Sequence, residues 1–179
     1  MAGGIGDENA KLIITSAGIE TERRTRAALK TAVPSARIRR TGFKNIFSLE
    51  AAGDVCELAK LVCQKCSQWI GHATAVLEEV ESRFEPIQEA AERIARKQIG
   101  PEENFCFRLH KRGAHYLEKD TSTIEREIGG AIWTTLEEHG ATPRVKLKNP
   151  DVAVVAEVLG PITAVGISRR AWREQPAEA

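Results

Sequence analysis

The sequence predicts an α+β protein built of small layered α/β units, and three observations carry that expectation. Short β-branched runs alternate with longer segments of helical periodicity along the chain. Aromatic residues make up only 5% of the composition, so a core must rest on Val, Ile, Leu and Ala, which suits small layers of helix on sheet. The length, 179 residues, is enough for one generous domain or two small ones.

The first unit is expected over residues 9–80. Residues 11–17, rich in Ile and Thr and bounded by Gly18, read as a buried strand. Residues 20–31 read as a helix, with Ala27, Ala28 and Leu29 as its apolar patch, Arg23, Arg24 and Arg26 on its wet side, and Pro34 beyond its end. Residues 37–40 and 46–50 read as two short strands around Gly42, with one positive, solvated face. Asp54 is a good N-cap. Val55, Leu58, Ala59, Val62, Cys66 and Trp69 follow at helical spacing, and Gly71 is expected to stop that helix. Residues 73–78 can supply a final strand. The resulting order, β-α-β-β-α-β, is that of a ferredoxin-like unit.

A second unit is expected over residues 81–173, with helices packed on a small mixed sheet. Residues 84–99 form its first helix, through Ile87, Ala90, Ala91, Ile94 and Ala95, and Gly100-Pro101 breaks it. Residues 104–110 read as a strand with Phe105, Phe107 and Leu109 on one face and Cys106, Arg108 and His110 on the other. Lys111-Arg112-Gly113 is a basic turn. Thr121 or Ser122 is expected to cap the next helix, with Glu125 completing a capping box. Ile124, Ile128, Ala131, Ile132 and Leu136 are its core positions, and Gly140 ends it. Residues 152–157 and 162–168 then form a hairpin around Gly160-Pro161. Residues 1–8 and 174–179 are expected to be flexible, the glycine-rich start included, since it precedes its strand and cannot cradle phosphate at a strand-to-helix turn.

Composition excludes several classes. No apolar run approaches the ~20 residues that span a bilayer, and the start has neither a basic nor an apolar signal region, so a cytoplasmic protein is expected. The net charge is +1, which gives no general attraction for nucleic acid. The distribution is uneven, however. Residues 20–44 carry eight cations against two carboxylates, whereas residues 78–103 carry eight carboxylates against four cations.

The most specific segment is residues 144–151. Arg144, Lys146 and Lys148 alternate with Val145 and Leu147, and Asn149-Pro150-Asp151 is turn chemistry. Extended, it sets three cations on one face; as a strand edge, the same lysines would block edge-to-edge pairing. Taken with Phe107-Arg-Leu-His-Lys-Arg-Gly113, a helix opened by Asp120-Thr-Ser-Thr-Ile124, and the closing hairpin, this order of motifs resembles the THUMP domain over roughly residues 81–170. That resemblance implies binding of tRNA or similar structured RNA, which the domain presents to an enzyme. The two-unit layout further resembles the family of THUMP proteins that assist an RNA cytidine acetyltransferase in making N4-acetylcytidine. It implies a non-catalytic adaptor without a cofactor or metal, whose partners are tRNA and that enzyme. The alternative partner is a separate thiouridine synthase or tRNA methyltransferase.

The cations expected to meet RNA are Arg39, Arg40 and Lys44 in the first unit. In the second they are Arg108, Lys111, Arg112, Arg144, Lys146, Lys148, Arg169 and Arg170, with the polar Thr121, Ser122 and Asn149 beside them. Backbone phosphates call for such groups on loops and strand edges. Phe43, Phe47, Tyr116 and Trp172 are the aromatics available for stacking, so shape and backbone recognition is expected over single-strand reading.

Cys63-x-x-Cys66, with Cys56 before and His72 after, supports two readings: a small zinc or thiol site, or buried thiols on one helix face. None of His72, His110, His115 and His139 sits beside a nucleophile in a recognisable motif; His110 and His115 flank the basic turn.

Overall fold

The computed structural model describes residues 9–18 and 21–174. The glycine-rich start and the tail beyond residue 174, both expected to be flexible, lie outside the described residues. The chain divides into two compact units, 1–75 with 172–179, and 76–171. The division falls inside a strand rather than at Glu81, and it returns Trp172 to the first unit.

In the first unit the central strand is β1 (Asn9–Ser16). Leu12, Ile13 and Ile14 are each fully buried. On one side β1 pairs antiparallel with β3 (Ile46–Ala52), setting Leu12 opposite Leu49 and Ile14 opposite Phe47. On the other it pairs with β4 (Ile70–Glu81), Leu12 opposite Ala75. β2 (Arg37–Arg40) lies antiparallel to β3 at the edge. The elements follow the β-α-β-β-α-β order read from the sequence, and the strands lie in the order β2-β3-β1-β4.

Helix α1 (Glu22–Ala32) buries Thr25 and Leu29, one turn apart, and leaves Ala27 in solvent, so its inward face is shifted from the expected alanine patch. Helix α2 (Val55–Lys65) begins as expected: the Asp54 carboxylate accepts from the Glu57 N–H at 2.9 Å. It ends early. Helical spacing runs on to Trp69, but the Trp69 carbonyl accepts from the Thr25 hydroxyl at 2.8 Å and from the Ala17 N–H at 2.9 Å. These tertiary partners hold Trp69 outside the helix, and Gly71 lies within β4 instead of stopping α2.

In the second unit the strands run in the order β4, β8 (Ile162–Arg169), β7 (Val152–Leu159), β5 (Asn104–His110), β6 (Arg144–Val145). β7 and β8 form the expected hairpin, with Gly160 at φ +71°, where a side chain would be strained. β5 is parallel to β7 and to the short β6. Helices α3 (Phe84–Gln98) and α4 (Thr121–Glu138) pack on each other and on this sheet. α3 buries Ile87, Ala91 and Ile94 and α4 buries Ile124, Ile128 and Ile132, in a largely aliphatic core to which β5 adds Phe105 and Phe107. Burying such side chains supplies most of the driving force for a unit this small, at about 25 cal/mol per Å².

Two local expectations are corrected. The cap of α4 is Asp120, whose carboxylate accepts from the Thr123 N–H at 2.8 Å; Thr121 is the first helical residue. No capping box forms at Ser122, because the Glu125 carboxylate accepts instead from the Leu109 N–H on β5, at 3.0 Å. Residues 146–149 continue beyond β6 as an exposed bend, not as an extended strand. Asn149 takes a left-handed φ of 48°, which a short polar side chain tolerates. Among the described residues no helix is long and apolar enough to cross a membrane.

Candidate nucleic-acid interface

A groove of about 500 Å³ lies in the second unit between α4 and the β5–β6 edge, with a mainly apolar lining. Its floor is Phe105, Cys106 and Phe107. Gly129, Gly130 and Trp133 form the wall on α4, and Val145 and Leu147 the opposite rim. A Cβ built on Gly129 or Gly130 meets nothing within 4 Å, so the missing side chains leave the groove open. Trp133 is 39% exposed, Val145 53% and Leu147 63%, a concentration of apolar surface that solvent would ordinarily disfavour.

Charged groups surround this slot. Arg108 and Arg126 line it together with Ser122 and Glu125. Arg108 donates to the Leu147 carbonyl and lies 3.9 Å from Glu125, so one guanidinium ties the exposed bend to the helix. Lys146 and Lys148 are exposed on the same bend, beside Val145 and Leu147, and Asn149 follows them. The Lys146 N–H donates to the Phe105 carbonyl at 2.8 Å, which anchors the bend to β5. A reciprocal pair closes the bend: the Asp151 N–H donates to Asn104 Oδ1 at 2.7 Å and the Asn104 N–H to Asp151 Oδ2 at 2.9 Å.

Of the expected residues, Arg108 and Ser122 line the groove, and Lys146, Lys148 and Asn149 are exposed on the bend that borders it through Val145 and Leu147. The other expected residues lie elsewhere. Arg112 sits 2.6 Å from the fully buried Glu157, so its charge is matched inside the protein. Arg169 pairs with Glu103 at 2.8 Å and donates to the Gln98 carbonyl, while Arg170 pairs with Asp151 at 2.7 Å. Lys111 donates to the Lys119 carbonyl at 2.6 Å. Arg144 donates to the Glu102 carbonyl and lines a separate cleft with Gly140 and Thr142. Thr121 is half-buried at the start of α4. In the first unit Arg39, Arg40 and Lys44 are all exposed, Arg40 within 3.4 Å of Glu22.

The stacking candidates also change. Phe47 and Trp172 are core residues, 1% and 5% exposed. Tyr116 is exposed, but Arg83 lies over its ring at 4.3 Å. Trp133, which was not among the expected residues, is the exposed aromatic of the groove lining, above the buried Phe105 and Phe107, and Arg126, which also lines the groove, was not expected either. A signal was present. Trp133 falls off the buried Ile124–Ile128–Ile132–Leu136 stripe, and a large aromatic off the core stripe of a helix has no packing reason to be there.

The groove's own reactive groups are quiet. Burial pushes the Cys106 thiol up, partly offset by Arg108. Burial likewise raises Cys63 to about 11 and lifts Cys66. Thiols held protonated are poor metal ligands and nucleophiles. Among the described residues, no cysteine belongs to a group of three metal-ligating side chains whose ligand atoms lie within 4.8 Å of one another. His72 Nε2 lies 3.2 Å from the Thr15 hydroxyl, and His115 Nδ1 accepts from the Leu117 N–H.

The family model described as THUMP domain matches residues 81–168. A tRNA sulfurtransferase of Actinobacillus succinogenes is 44% identical over 57 residues, which are 32% of this chain and 10% of that protein. One from Citrobacter koseri is 44% identical over 54 residues, 30% of this chain and again 10% of the relative. These matches thus span about a tenth of the relatives' length. Among solved structures, a 4-thiouridine synthetase in complex with RNA and ATP is similar over 90% of this chain and 42% of its own, at 18% identity and a TM-score of 0.61. TrmN from Thermus thermophilus is similar over 89% of this chain and 46% of its own, at 22% identity and a TM-score of 0.60. These likenesses establish a shared fold.

Proposed function

The chain carries a THUMP domain over residues 81–168, and from that premise we propose that it is a non-catalytic RNA-binding adaptor. It holds tRNA for a separate modifying enzyme. The observation that carries this reading is the groove under α4, where the exposed Trp133 and Leu147 share the lining with Arg108 and Arg126, and the bend that supplies Leu147 carries the exposed Lys146 and Lys148. Cations on exposed loops suit phosphates, and an open aromatic face suits an unpaired base. Exposed apolar surface beside cations is the arrangement by which proteins hold unpaired nucleotides of folded RNA. A fluorescence anisotropy titration with tRNA tests it. Binding that weakens steeply with salt, and falls at least tenfold on charge reversal at Lys146 and Lys148, is expected. No binding at low salt, or indifference to that reversal, overturns it.

The enzyme served is, in this reading, an RNA cytidine acetyltransferase forming N4-acetylcytidine. The support is the resemblance of the two-unit layout to the adaptors of that enzyme. A second reading makes the chain the RNA-binding part of a thiolation or methylation system. The sulfurtransferase relatives and the 4-thiouridine synthetase and TrmN likenesses favour it. Purification of the chain with its bound enzyme, followed by mapping of modified nucleotides in a deletion strain, separates the two: loss of acetylcytidine supports the first, loss of thiouridine or a methylated base the second.

A further inference from the structure

The first unit has its own concentration of positive charge, apart from the groove. Helix α1 and strand β2 enclose a cleft of about 530 Å³ lined by Arg26, Lys30, Ser35, Ala36, Arg37 and Ile38. The lining brings together three cations and a hydroxyl with no carboxylate, among the described residues. The Lys30 ammonium donates to the Ala36 carbonyl at 2.9 Å, which holds it at the cleft wall. Arg26 and Arg37 are exposed, and Arg39 and Arg40 extend the positive edge along β2. Nearby carboxylates are few: Glu22 pairs with Arg40 at 3.4 Å, and Glu50 lies opposite Arg37 in the strand register.

We propose that this cleft binds the phosphodiester backbone of RNA, as a second contact that reads charge and not sequence. Arg26 and Lys30 are one turn apart on α1, where like charges repel in the unbound protein. Phosphates relieve that repulsion. The fork of a guanidinium matches two phosphate oxygens, and a lysine supplies a point charge beside it. The lining of the cleft holds no aromatic residue, and Trp69 elsewhere in this unit has Arg24 over its ring at 6.0 Å. Bases are therefore not engaged. An acidic protein segment would also meet the charge, but tight protein partners anchor on large apolar pockets, and this cleft offers only Ala36 and the half-buried Ile38. The inference rests on the RNA-binding reading and adds to it a contact class and a place.

The test compares wild type with Arg26→Ala/Lys30→Ala/Arg37→Ala in salt titrations against tRNA, against a four-nucleotide single strand, and against poly-glutamate. The slope of log affinity against log salt is expected to fall by about 2–3 in the variant on tRNA, since each phosphate contact contributes about 0.7–0.9. Affinity for the four-nucleotide strand is expected to stay within twofold. Arg26→Glu/Arg37→Glu, which keeps the Lys30–Ala36 bond, provides the same comparison if the triple variant unfolds. An unchanged tRNA slope while wild type binds overturns this inference alone. So does a loss confined to poly-glutamate. Failure of wild type to bind tRNA at all overturns the adaptor reading, and this inference with it.

Discussion

The Arg112 guanidinium lies 2.6 Å from a Glu157 carboxylate oxygen that is wholly removed from solvent. A buried carboxylate is costly unless its charge is matched, and removing the partner leaves that cost behind. Arg112→Ala is therefore expected to lower unfolding stability by about 3 kcal/mol, the scale of breaking a buried pair. The half-buried Lys111, next in sequence, is expected to lose less than about 0.5 kcal/mol as Lys111→Ala. Urea denaturation of both variants checks the contrast.

Trp133→Ala separates binding from folding. The ring is partly exposed at the groove wall, so stability is expected to change little. Affinity for tRNA is expected to fall by about 1–3 kcal/mol, the scale of one base stacked on an aromatic ring. Thermal unfolding and anisotropy on the same preparation read the two effects independently.

Gly130 gives the opposite test. A Cβ there meets open space, so Gly130→Ala is expected to stabilise α4 by about 0.5–1 kcal/mol through helix propensity and the unfolded chain. Gly130→Trp is expected to keep that fold and to weaken tRNA binding by filling the groove. A bulky variant that binds as well as wild type would show that RNA does not enter there.

Asp151 holds three bonds at the root of the basic bend: two with Asn104 and an ion pair with Arg170. Asp151→Ala removes the carboxylate from both the Asn104 N–H and Arg170. It is expected to cost about 1–3 kcal/mol of stability, and to increase amide exchange in residues 146–149. Hydrogen-exchange mass spectrometry reads the second effect directly.

Alkaline stability follows from Cys63. Burial, the leading cause, pushes the folded Cys63 thiol up to about 11, from about 9.0 for an ordinary thiol. A raised thiol pKa means that the folded state keeps a proton the unfolded state gives up. The stability present below pH 9 is lost as pH rises through about 11. Cys63→Ala is expected to flatten the fall in melting temperature over that window. In the wild type, Cys63 should resist alkylation at neutral pH until the protein unfolds.

Much of the fold was legible because it rests on local signals. Asp54 announces α2, and the stripe from Ile124 to Leu136 announces α4, each within a few residues of chain. What failed depended on distant partners. Nothing near Trp69 shows that Thr25 and Ala17 will claim its carbonyl. Nothing near Phe47 or Trp172 says that these rings enter a core. For the site, sequence revealed which residues carry charge but not which carboxylates lie across the sheet. Hence Arg112, Arg169 and Arg170, legible as cations, are found with Glu157, Glu103 and Asp151, while Lys146 and Lys148 remain in solvent. Trp133 was legible in principle, as an aromatic off its helix's stripe.

β8, the last strand among the described residues, lies between β4 and β7 in the sheet. The Ser82 hydroxyl, just after β4, donates to the Gly160 carbonyl at 2.6 Å and sits 2.8 Å from the Thr163 hydroxyl. A ribosome therefore releases β4, α3, β5, α4 and β7 before the strand that joins the first of them to the last exists. Until then β4 and β7 each present an open edge to the crowded cell, and the unit cannot close piecemeal. The unit therefore depends during synthesis on how quickly residues 160–169 follow β7, or on a chaperone that shields those edges until they are made.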